Sequence, residues 1–124
     1  MDNWHSMSMH CYGKVISALR DAAEPVVDYV AEAHCIHPEY LWTNSGVVAR
    51  TARKCVVWIL IEYYKLTPVH IAAMYGLRDE KVSRWRREYE LALLKYPEVE
   101  QCASGALDMI MHEFTFDVKG GANA

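Results

Sequence analysis

Residues Val47 to Lys65 place the tightest limit on what this chain can fold into. At helical spacing Val48, Ala52, Cys55, Val56, Ile59, Leu60 and Tyr63 fall on one face, and Val57, Trp58, Ile61 and Tyr64 on another. A helix that is apolar nearly all round cannot lie on a surface, so other helices must enclose it. With 124 residues, 52% of them hydrophobic, the chain is long enough to bury such a core in one domain. It has no run of 18 apolar residues, so no membrane span is expected. The opening MDNWHSMSMH lacks the basic-then-apolar form of a signal peptide, which points to a cytoplasmic protein.

The stretch that follows, LTPVHIAAMYGLRDEKVSRWRREYE, is punctuated as two helices and a turn. Thr67 is a candidate N-cap with Pro68 at the first helical position, where a missing N–H costs nothing. Ile71, Ala72 and Tyr75 form one stripe, and Gly76 stands where a left-handed residue ends a helix. Asp79 is placed to cap the next helix, whose buried face is Val82, Trp85 and Tyr89. The spacing of Ala72, Gly76 and Val82 is that of a helix-turn-helix.

With that face inward, Glu80, Ser83, Arg84 and Arg87 point outward, and Lys81 and Arg86 lie on the flanks. A guanidinium matches the guanine edge bidentately and also pairs with phosphate, so arginines on a helix that fits the major groove suit DNA recognition. Arg84 and Arg87 are the candidates for base edges. Lys81, Arg86, Arg50, Arg53 and Lys54 are the candidates for phosphates. The last three crowd the N-terminal end of the long helix, against its macrodipole, which fits either phosphate contact or pairing with acids of the preceding helices. His70 lies on the exposed side of the first of the two helices, open to solvent or to a phosphate.

The net charge of −3 and the pI near 6.0 hide a strong asymmetry. Residues 47–96 hold ten lysines and arginines against five carboxylates, a surplus of five, so the flanks together carry −8. A basic middle between acidic ends allows one face to meet DNA while limiting non-specific attraction.

Around this middle the sequence predicts helices from Met9 to Ala23 and from Pro25 to near Cys35, the proline separating them. A single turn follows at Pro38–Trp42, and a last helix opens at Pro97. Residues 1–8 and the segment from Val118 onward read as frayed ends. Two apolar stripes lie outside the central region: Tyr12, Val15, Ile16 and Leu19 on one side, Ala106, Met109, Ile110 and Phe114 on the other. They serve either a homodimer or the monomer's own core.

Cys11, Cys35, Cys55 and Cys102 are scattered, with no C-x-x-C pair, so they read as reduced thiols. His34-Cys35-Ile36-His37 is the densest group of metal-ligating types, but without a second pair at fixed spacing it reads as loop and core. Nucleotide-hydrolysis and acyl-transfer signatures are absent, so neither an enzyme nor a cofactor is expected.

The order and spacing of VVDYVAEAHCIHPEYL, ARKCVVWIL and LTPVHIAAMYGLRD, from Val26 to about Leu94, resemble the C-terminal DNA-binding domain of the bacterial replication initiator DnaA. The resemblance implies an all-α bundle of about six helices containing a helix-turn-helix, also similar to the Trp repressor. Within it Ala52-Arg53-Lys54 corresponds to the segment opening the long helix, and Arg78-Asp79 to the start of the family's R-D-H-T-T-V signature, whose polar residues read bases. The chain departs from that pattern. Arg78-Asp79-Glu80-Lys81-Val82 is one residue shorter and lacks the histidine and threonines, and Asn44-Ser45-Gly46-Val47 replaces a basic loop. The family's ATPase domain has no counterpart in the chain, which implies a stand-alone relative of the binding domain.

Together these readings set the expectations for the structure. Residues 1–24 form a tail and helix, 25–96 the binding region with its recognition elements at 67–89, and 97–124 a helix and tail, all in one globular unit. The expected function is sequence-specific binding of double-stranded DNA as a nucleoid-associated regulator of transcription or replication in a bacterium or phage. A protein-interaction module on the same scaffold is the alternative.

Overall fold

The computed structural model describes residues 9–123, with side chains described through residue 113. The segment 1–8, the side chain of Phe114 and Ala124 lie outside the described residues. The described residues form six helices and no strand: α1 (Met9–Ala33), α2 (Pro38–Leu41), α3 (Val47–Glu62), α4 (Pro68–Tyr75), α5 (Asp79–Lys95) and α6 (Pro97–Asn123).

α3 is the inner helix. Ala49, Ala52, Cys55, Val56, Val57, Ile59 and Leu60 are all buried along it, under α1, α2, α4 and α5. It packs most extensively on α5, whose Val82 and Tyr89 are fully buried. The helix ends at Glu62 rather than Lys65. Thr67 must be extended ahead of Pro68, so the chain has to leave α3 early, and it does so through Lys65 at φ 60 with Leu66 N–H donating to the Leu60 carbonyl at 3.0 Å. Tyr63 and Tyr64 are consequently exposed in the connection and do not extend the helical faces.

The punctuation of the next segment is realised nearly residue for residue. Thr67 accepts from His70 N–H, Pro68 opens α4, and Gly76 at φ 66 ends it, with Leu77 N–H donating to the Ala72 carbonyl at 2.9 Å. The cap of α5 differs, because the extended residue is Arg78 and its side chain makes no capping bond. Asp79 is the first helical residue. With Glu80 it places negative charge on the positive end of the helix dipole, which gives the stabilisation expected of a cap by a different route.

The sequence placed a break at Pro25, yet α1 runs through it as one helix. Proline in a helix interior costs about 3 kcal/mol, but Ala23, Val26, Val27 and Val30 are buried on both sides of it. At about 1.5–3 kcal/mol for each large apolar side chain, that burial outweighs the penalty. The expected tail from Val118 is likewise helical to Asn123, since no proline follows Pro97 and glycine costs only about 1 kcal/mol within a helix. The two terminal helices pack on each other, with Gly105 of α6 set against Ala33 of α1. Of the two apolar stripes, Ala106 is buried and Ile16, Leu19 and Ile110 pack on the core, so this part of them serves the chain's own interior, beside Ala103 and Leu107.

Tyr89 is the largest fully buried side chain, its ring 5.5 Å from that of Trp58. Its hydroxyl lies against the Cys55 thiol without a well-aligned hydrogen bond, and burial pushes that thiol up to about 12. Because the hydroxyl gains little, Tyr89→Phe is expected to change stability by less than about 1 kcal/mol, whereas Tyr89→Ala should cost about 3–5 kcal/mol in urea unfolding.

His34 and His37, the histidines of the densest ligand group, both bond to backbone. His34 is buried with Nδ1 2.7 Å from the Val30 carbonyl, and His37 caps α2 by accepting from Glu39 N–H at 3.2 Å. Burial lowers the pKa of His34 from 6.5, partly offset by that backbone bond. The unfolded chain therefore takes up the proton first, and stability falls as pH drops below about 6.5 toward the lower folded value. The urea midpoint should decline across this range, and His34→Gln should flatten the decline.

Candidate nucleic-acid interface

The packing of α3 against α5 leaves an open groove of about 960 Å³ beside the α4–α5 turn. One wall is the N-terminal half of α3, with Arg50, Arg53 and Lys54, and the other is α5, with Lys81, Arg84, Trp85 and Glu88. These α5 positions recur at i, i+3, i+4 and i+7, so one helical stripe faces the groove while Val82 and Tyr89 face the core. Arg20 of α1 joins the lining, as do Trp42 and Tyr75, whose rings stack with centroids 4.4 Å apart.

Six cations meet one carboxylate here, in a chain whose net charge is −3. Glu88 is 3.2 Å from Lys54 Nζ and 3.8 Å from Arg84 Nε. Arg53 anchors the loop between α2 and α3, donating to the carbonyls of Leu41 at 2.7 Å and Asn44 at 2.9 Å. The same loop is shaped by Asn44 Oδ1 accepting from Gly46 N–H. Partial burial lowers the pKa of Arg53, and the neighbouring Arg50 charge lowers it further. Lys81 lies over the Trp85 ring at 5.2 Å, and burial raises the Tyr75 phenol to about 12 beside Arg20.

The structure thus brings together Arg50, Arg53, Lys54, Lys81 and Arg84 of the residues that sequence reasoning selected. Pairing of the α3 cluster with acids of the preceding helices is not what forms: Lys54 reaches across to α5, and Arg53 reaches backbone carbonyls. Arg87, Arg78, Asp79 and Glu80 are exposed outside the groove, and Ser83 is half-buried beside them. Arg86 turns away toward α3, where it meets Glu62 at 3.1 Å, and lies 3.8 Å from Glu90 of its own helix, which removes it from the phosphate-facing set. Thr67 and His70 bond to each other at the far end of α4.

Arg20, Trp42, Tyr75 and Glu88 belong to the groove, and sequence reasoning did not select them. Arg20 reaches the groove through the packing of α1 on α4, a fold-level fact with no local signature.

Among the described residues, no group of three or more potential metal ligands is gathered, and no helix is long and apolar enough to cross a membrane. The sequence matches no family model and no curated protein.

Trp85 was expected in the core, yet it is only half-buried and serves as groove wall. Trp85→Ala should therefore cost about 1–3 kcal/mol, less than a fully enclosed tryptophan, and leave the helical circular-dichroism spectrum in place. Collapse of that spectrum would return the indole to the core.

Proposed function

We propose that this protein binds double-stranded DNA, with α4 and α5 acting as a helix-turn-helix and the groove between α3 and α5 receiving the sugar-phosphate backbone. One observation carries the reading. Cations from three separate helices converge on one concave surface while the chain as a whole is acidic, so their gathering reflects placement and not composition. The resemblance of residues 26–94 to the DnaA C-terminal domain points the same way, and makes a regulator of transcription or replication the role to test first.

The groove divides two arginines that the sequence had assigned alike to bases. Arg84 faces Lys54 and is held by Glu88, so we assign it to phosphate. Arg87 is exposed about 60° further round α5, on the solvent side shared with Glu80 and Ser83, and keeps the base-reading role.

A protein-interaction role is favoured by one observation of its own, Leu91 and Leu94 being 67% and 88% exposed toward the C-terminal end of α5. Selection and sequencing of genomic fragments retained by the protein separates the two readings. Enrichment over bulk DNA supports the first, and none at moderate salt removes it. Arg87→Ala should cost about 1–3 kcal/mol and relax preference at one base position. Arg50→Ala and Lys81→Ala should weaken all sequences alike and flatten the salt dependence by about 0.9 each. Arg53→Ala and Arg86→Ala should lower the melting temperature instead, because both groups hold the fold.

A further inference from the structure

We infer that Glu88 occupies a phosphate subsite, its carboxylate standing between Lys54 and Arg84 where a backbone phosphate sits in the complex. The inference rests on the DNA-binding reading and specifies how that groove is regulated.

Three features single Glu88 out. It is the lone carboxylate among the residues lining the groove, and its two oxygens address cations from two helices, Lys54 on α3 at 3.2 Å and Arg84 on α5 at 3.8 Å. A phosphodiester offers the same equipment, one negative charge on two unbridged oxygens, so the two groups compete for the same donors. The balance of charge also differs from that at the other ion-pair site of α5. Arg86 has two carboxylates, Glu62 and Glu90, around one guanidinium, a surplus of acid that stabilises the α3–α5 contact. Glu88 is one acid shared by two bases, so the subsite remains electropositive even while it is filled.

The carboxylate is also free to leave. Glu88 is 44% exposed and Arg84 52%, so the bridge is solvent-screened and weak, and a side-chain rotation moves the carboxylate into water without disturbing the core. Entry of a phosphate releases Glu88 and replaces an internal ion pair by an intermolecular one. The apo protein thereby lowers its attraction to arbitrary polyanions, and backbone contact at this subsite requires an approach close enough to displace the carboxylate.

The test compares Glu88→Gln with Glu90→Gln, the same charge change on the same helix outside the groove, by titrating each 124-residue chain into a labelled 20-base-pair duplex over a range of salt. Glu88→Gln is expected to tighten binding about 3- to 10-fold and to steepen the salt dependence by about one to two counterions, whereas Glu90→Gln should change affinity less than 2-fold through net charge alone. In a Lys54→Ala, Arg84→Ala background the gain from Glu88→Gln should vanish. Glu88→Asp, which keeps the charge but shortens the reach to Lys54, should lie between wild type and Gln. Equal effects of Glu88→Gln and Glu90→Gln, or weaker binding by a folded Glu88→Gln, overturn the subsite while leaving the DNA-binding reading intact. Absence of duplex binding by wild type and both variants overturns the two together.

Discussion

The packing of α5 on α3 is the contact on which the rest of this molecule depends. Val82 and Tyr89 are fully buried on one side of α5, Tyr89 against Cys55 and Trp58 of α3, and that side sets the rotation of α5 about its own axis. Once the rotation is set, Lys81, Arg84 and Glu88 can only face the N-terminal half of α3, and Arg87 can only face solvent. Hydrophobic burial thus positions the charged chemistry. Lys81 and Arg84 are held by only a ring contact and a long, exposed ion pair, and it is the apolar residues of the same helix that fix their direction.

The charges themselves divide by the same seam. On one side Arg86 sits between Glu62 and Glu90, a half-buried arrangement that ties α5 to α3 and leaves the Arg86 Nε without a partner. On the other side six bases share one acid, an arrangement that repels itself and is tolerated because the groove is open to water. A surplus of like charge raises the free energy of the folded state, and the proposed ligand is one that would relieve it. The terminal helices contribute more than a cover for the core. α1 delivers Arg20 to the groove while its Ile16 and Leu19 pack on the core, beside α6.

What the sequence by itself determined was most of the punctuation that depends on neighbours within a turn or two, though the cap of α5 shifted from Asp79 to Arg78 and α3 ended before Lys65. Thr67 before Pro68, Gly76 at the left-handed end of α4, and Pro97 at the start of α6 act through local sterics and backbone hydrogen bonds, which are the same in any fold. The apolar pattern read over Val47 to Lys65 demanded an enclosing shell of helices because its periodicity left almost no solvated face, although the helix itself ends at Glu62. What only the tertiary structure decided were outcomes in which a local rule competes with burial elsewhere. Pro25 stays within α1 because Ala23 before it and Val26, Val27 and Val30 after it are covered by other helices, and Arg86 rather than Arg84 turns inward because Glu62 happens to lie across the α3–α5 seam. The groove is of the same kind: Arg20, Trp42, Arg50 and Arg84 are far apart in the chain, and no spacing rule joins residues whose proximity is created by the packing of separate helices.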